Sequence, residues 1–123
     1  MKLNLALATA VLALTPAAAA WRVRFYPEAG YGGQQFTKSG PGNPGTSPCM
    51  GVSSAINDRI SSLHWYPKNP AGDRSCCLYL YANSGCTNQL PFHTACQQTS
   101  IRNMAGTPLQ DKISSFKTVC TIL

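Results

Sequence analysis

Few residues in this chain could do chemistry, and their spacing narrows what that chemistry would be. Two stretches collect oxygen donors within six residues each: "NDRISS" at 57–62 and "QDKISS" at 110–115. Amides, carboxylates and hydroxyls gathered twice in this way could make a metal site. The same residue types also make turns and strand-start caps through local hydrogen bonds, and both readings stay open on these residues alone. Catalysis has less to work with. His64 alternates with Leu63 and Trp65, which predicts an outward surface histidine on a strand. His93 lies in "PFHTAC", where a nucleophilic Cys/His pair would need a free thiol. There is no G-x-S-x-G, no H-E-x-x-H and no Gly-rich phosphate loop. Glu28 is the sole Glu among four carboxylates, which leaves little for a glycosidase pair. A non-enzymatic protein is expected.

The cysteines decide the compartment. Residues 1–20, "MKLNLALATAVLALTPAAAA", show a lone Lys2, an apolar run and a small-residue end, the pattern of a secretory signal peptide cleaved after Ala20. The run is interrupted by Asn4, Thr9, Thr15 and Pro16, so a membrane span is not expected there or elsewhere. Six cysteines follow, Cys49, Cys76, Cys77, Cys86, Cys96 and Cys120. An even count behind a secretion signal predicts three disulfides rather than zinc, with connectivity left open. Adjacent Cys76 and Cys77 should point to opposite faces of a strand and so take different partners.

Ten Lys/Arg against four Asp/Glu give a formal charge of +6, lowered by one when Lys2 leaves with the leader. This favours anionic cell walls, membranes or acidic glycans. The basic residues are scattered singly, so nucleic acid is not an expected partner. The aromatics Trp21, Tyr26, Tyr31, Trp65, Tyr66, Tyr79 and Tyr81 are divided by strand alternation between core packing and exposed positions that suit a sugar or protein partner.

No window sustains an amphipathic helix. "WRVRFY", "SSLHWY", "CLYLY" and "SSFKTV" read as short strands punctuated by Gly, Pro, Asn and Ser, which predicts an all-β sandwich or small barrel. A shift of 55 lays "YPEAGYGGQ" (26–34) on "YANSGCTNQ" (81–89), and a shift of 53 lays "NDRISS" on "QDKISS". Two matches in one order indicate two units, about 21–68 and about 74–123, meeting at "PKNPAGD" (67–73). Neither unit buries much surface alone, so they should pack face to face as one domain, 21–123.

On these residues the chain resembles the βγ-crystallin superfamily, whose Greek-key motif carries an aromatic-x-x-x-x-aromatic-x-Gly hairpin followed by a downstream Ser. Tyr26, Tyr31, Gly33 and Ser62 supply that pattern in the first unit. Tyr81, Cys86, Asn88 and Ser115 occupy the matching places, with Cys86 and Asn88 as departures. The resemblance implies a disulfide-stabilised sandwich of two Greek-key motifs. Gly33 and Asn88 take the left-handed backbone that a folded hairpin needs, and Ser62 and Ser115 hold the hairpins down. It also suggests that a disulfide at Cys86, to Cys96, replaces the ring at Tyr31.

The calcium-binding branch of that superfamily carries the signature [Asn/Asp]-[Asn/Asp]-x-x-[Ser/Thr]-Ser, met fully by "NDRISS" and with Gln110 departing in "QDKISS". By this resemblance the ligands are Asn57, the Arg59 carbonyl and Ser61, then Gln110, the Lys112 carbonyl and Ser114, with backbone oxygens at Glu28 and Asn83. Few of these are charged, so any affinity falls in the extracellular range of ~0.1–1 mM. Small secreted members of the superfamily include killer-toxin-like and antifungal proteins. The implied function is a secreted monomer that binds a cell-surface, cell-wall or protein target. A calcium-stabilised structural or stress protein is one alternative. A protease inhibitor presenting "SGPGNPGTSP" (39–48) is another.

Overall fold

The computed structural model describes residues 19–68 and 72–123. Most of the expected leader and the middle of the expected unit boundary lie outside these residues. The described chain is all-β, with no helix and nine strands: β1 (Trp21–Tyr26), β2 (Phe36–Gly40), β3 (Gly45–Thr46), β4 (Met50–Gly51), β5 (Ser62–Tyr66), β6 (Arg74–Asn83), β7 (Thr87–Gln89), β8 (Thr99–Ile101) and β9 (Ser115–Ile122).

One sheet runs β2-β1-β5-β8 and the other β3-β9-β6-β7, with β4 also on β9. All the pairings are antiparallel. The two repeats pack face to face as one sandwich, and each lends its third segment to the other's sheet. Strands β3 and β4 of the first repeat border β9, and β8 of the second repeat borders β5. These segments of two or three residues pair at the far sheet's edge, which covers backbone groups that an edge strand would otherwise expose.

Period-two alternation builds the core between the sheets. Val23, Phe25, Leu63 and Trp65 face Leu78, Leu80, Phe116 and Cys120, closed at the ends by Ile56, Ile60, Met104, Leu109 and Ile113. Trp65 is fully buried and its indole N–H donates to the Ala95 carbonyl at 2.9 Å, so its polar edge is satisfied. Ala20 is also buried, and its amide donates to the Gly40 carbonyl at 2.7 Å, so Ala20 packs together with β1.

Candidate functional site

The repeat is written in the backbone as well as in the sequence. Left-handed φ values fall in pairs: Gly30 (72°) with Gly85 (77°), Tyr31 (63°) with Cys86 (56°), Gly33 (82°) with Asn88 (63°), and Asp58 (59°) with Asp111 (55°). At Gly33 a Cβ would stand 2.5 Å from Pro27 Cγ, so the hairpin closes against its own first corner only without a side chain there.

Each hairpin is pinned by the Ser that opens the unit's last strand. Ser62 Oγ donates to the Glu28 carbonyl at 2.6 Å and accepts from the Tyr31 amide at 3.1 Å. Ser115 Oγ donates to the Asn83 carbonyl at 2.6 Å and accepts from the Cys86 amide at 3.0 Å. Both serines are fully buried. Tyr26 ends β1 and Tyr81 lies two residues before the end of β6, opposite Ser62 and Ser115 in register. Tyr26 packs edge-on against Tyr31, and Lys117 Nζ lies over Tyr81 in the second unit.

The two signature stretches meet at a corner. The Asp58 amide donates to the Ile113 carbonyl and the Asp111 amide to the Ile60 carbonyl, so each stretch crosses the other by the same rule. Gln110 Nε2 then donates to Ser61 Oγ at 2.9 Å, and Ser114 Oγ donates to Asp58 Oδ1 at 2.8 Å. The carboxylate brought to Ser114 is therefore Asp58, a residue the sequence reading did not include among the ligands. Asn57, Arg59 and Lys112 are exposed. The expected backbone ligands at Glu28 and Asn83 already accept from Ser62 and Ser115, each with one lone pair left. These groups are oxygen donors of the kind calcium takes, with one carboxylate at the Asp58 corner. No group of three or more His, Cys, Asp or Glu gathers among the described residues.

All six cysteines pair, as Cys49–Cys86, Cys76–Cys120 and Cys77–Cys96. Cys76 and Cys77 do take different partners: Cys76 points into the core, and Cys77 points out toward the loop before β8. The expected Cys86–Cys96 bond is not formed. Cys86 reaches back to Cys49 in the first repeat, because the exchange of β3 and β4 carries that segment beside the second hairpin. Such bonds fit an oxidising compartment, and no helix among the described residues is long and apolar enough to cross a membrane.

The outward face of β1 and β5 holds a cluster that sequence reading left scattered. The Arg22 guanidinium lies over the Tyr66 ring at 4.8 Å. Tyr31 stacks on His64 at 3.9 Å between centroids, and Tyr66 lies 6.0 Å from His64 on its own strand. Burial first, and then the Arg24 charge, lower the His64 pKa. Its Nδ1 meets Ser100 Oγ at 2.9 Å, a contact made by β8 pairing and unmarked in "QQTSIRN". A Ser beside a His invites a catalytic reading, but a general base must carry positive charge in the transition state. Here Arg24 opposes that charge, and the ring's Nδ1 is met by the Ser100 hydroxyl, not by a carboxylate. Elsewhere, the 39–48 loop is held at its base by Ser47 bonds to the Thr118 backbone, with a cavity of about 340 Å³ between it, Trp21 and Thr118.

Comparison with solved structures agrees with this architecture. A domain solved in work on the evolution of the eye-lens βγ-crystallin domain fold aligns over 89% of this chain and 94% of its own, at 14% identity and a TM-score of 0.52. The N-terminal domain of protein S aligns over 83% of this chain and 99% of its own, at 16% identity and a TM-score of 0.48. No family model and no curated protein matches the sequence. The chain has the βγ-crystallin domain fold.

Proposed function

We propose that this is a secreted, non-enzymatic binding protein that attaches to an anionic cell surface or cell wall. The observation that carries the reading is unpaired positive charge. From Trp21 onward nine Lys/Arg face four Asp/Glu, and the one ion pair among the described residues is Arg74–Asp73 at 3.5 Å. Cations without carboxylate partners keep their full field for an external polyanion. Three disulfides and a small packed core suit a rigid extracellular module of this size. The test is co-sedimentation with microbial cell walls across a salt series. Retention at about 50 mM salt that falls steeply by about 500 mM supports the reading, and equal recovery in the supernatant at every salt concentration refutes it. Growth inhibition of fungi on the same preparations distinguishes a toxin-like outcome from simple attachment.

The crossed corner favours a second reading, a weak calcium site that stabilises the fold. Ser61 with Gln110, and Ser114 with Asp58, bring oxygen donors from both signatures together. The second pair carries the formal charge, so calcium prefers it. A calorimetric titration to millimolar calcium, followed by Asp58→Asn, tests this; no heat and no rise in Tm ends it.

A further inference from the structure

We propose that the outward β1–β5 face, formed by Arg22, Arg24, Tyr31, His64 and Tyr66, is a binding site for an acidic polysaccharide whose sugar units carry carboxylates. The proposal rests on the cell-surface reading above and names its site.

The repeat itself shows that the fold does not require this cluster. The equivalent positions in the second unit are Cys77, Tyr79, Cys86, Lys117 and Val119, on the same backbone and in the same register. Arg22 faces Tyr66 as Cys77 faces Val119, and Arg24 faces His64 as Tyr79 faces Lys117. A scaffold that accepts either set leaves the Arg-aromatic set to be explained by something it touches.

Its chemistry defines what that is. Arg22 rests its plane on Tyr66 at 4.8 Å, which orients the guanidinium while leaving N–H edges for a carboxylate fork. Arg24 is half-buried and pairs with His64 across the two strands, so it adds a second positive charge to the same face. Neither arginine has a carboxylate partner among the described residues. Tyr31 stacks face to face on His64, and Tyr66 lies near-parallel to His64 on β5, so this half-buried stack offers a ligand its outer face and ring edges. Aromatic faces carry partial negative charge and suit the weakly positive C–H face of a pyranose ring. Thr37, Ser39 and Ser100 flank the arginines and His64 in register with hydroxyls that match sugar hydroxyls. A lipid surface fits less well, because the large exposed hydrophobics, Ile122 and Leu123, lie at the end of β9 in the other sheet.

The test is calorimetric titration of the whole secreted protein with an oligogalacturonate, its neutral methyl ester, and single-stranded DNA of equal charge. The oligogalacturonate is expected to bind, the ester to bind at least about tenfold more weakly, and the DNA no more tightly than the oligogalacturonate. Arg22→Gln and Arg24→Gln should each weaken oligogalacturonate binding by about tenfold or more. Lys117→Gln, which removes one charge from the equivalent place on the other sheet, should change it less than about twofold. Unaltered thermal unfolding of each variant shows that the loss is local. Equal affinity for acid and ester overturns the proposal, and so does tighter binding to DNA. Equal losses in all three variants would leave the cell-surface reading standing but remove this site. Binding to none of the polyanions and to no cell wall would remove both.

Discussion

Replacing Ser62 with Ala removes one oxygen and strands two backbone groups. In the folded chain Ser62 Oγ joins the Glu28 carbonyl at 2.6 Å to the Tyr31 amide at 3.1 Å, and the residue is fully buried. Each bond contributes about 0.5–1.5 kcal/mol net, and a donor or acceptor left without a partner costs about 1–3 kcal/mol if it stays dry. The hairpin ends are only partly buried, so water recovers some of that, and the expected loss is about 2–3 kcal/mol. For a chain of this size that corresponds to a Tm drop of about 10 °C or more. Ser61→Ala is the control. It breaks a single side-chain bond to Gln110 at a half-buried position and should cost less than about 1 kcal/mol. Urea unfolding with disulfides intact measures both, and hydrogen exchange at the Tyr31 amide reports hairpin opening directly. A loss below about 0.5 kcal/mol for Ser62→Ala, or equal losses at Ser61 and Ser62, would refute the pinning argument.

Three further outcomes follow from the same coordinates. Removing the Cys76–Cys120 bond by a double Ala substitution opens a 44-residue separation and should lower stability by about 4 kcal/mol in urea unfolding; a loss under about 1 kcal/mol would mean that β6–β9 pairing alone holds the core. His64 has its pKa lowered from 6.5 by burial and by Arg24. The folded state thus disfavours the charged ring, and stability falls as pH drops from 6.5 through the folded value. His64→Gln should flatten that acid-side slope, and Arg24→Gln should raise the His64 pKa in an NMR titration; an unmoved pKa would break the coupling. Finally, Ala20 is buried, with its amide on the Gly40 carbonyl. N-terminal sequencing of secreted protein is therefore expected to find Ala20 retained, and a chain beginning at Trp21 would show that contact to be dispensable.

Much of the fold was legible in the sequence because duplication writes each local rule twice. The offsets of 55 and 53 in the sequence reappear as paired left-handed residues, Gly33 with Asn88 at one offset and Asp58 with Asp111 at the other. Positive φ is costly for most residues, so the backbone need shows through residue type. The exchange of third strands was not legible, since β3, β4 and β8 have two or three residues each and no period to read. Disulfide connectivity went with it: Cys49 reaches Cys86 only because the exchange carries it across. The Asp58–Ser114 contact depends on how two corners cross, which no local pattern encodes.

Comparing the halves separates what the scaffold needs from what it merely carries. Ser62 and Ser115, Ile60 and Ile113, and Tyr26 and Tyr81 are kept in both, and each is buried at the same place. The outward positions diverge in a consistent direction. In the second half two of them are cysteines, Cys77 and Cys86, so covalent bonds to Cys96 and Cys49 fasten that surface down. In the first half the same places hold Arg22 and Tyr31, which make no covalent bond and pack only through ring contacts. Noncovalent packing is the weaker way to secure a hairpin, and the first unit adds to it a buried Arg24 nitrogen with no partner. Two of the three disulfides lie wholly in the second unit, and the third links the halves at the second hairpin. The second unit is therefore the covalently fastened half, and the outward face of the first carries no disulfide.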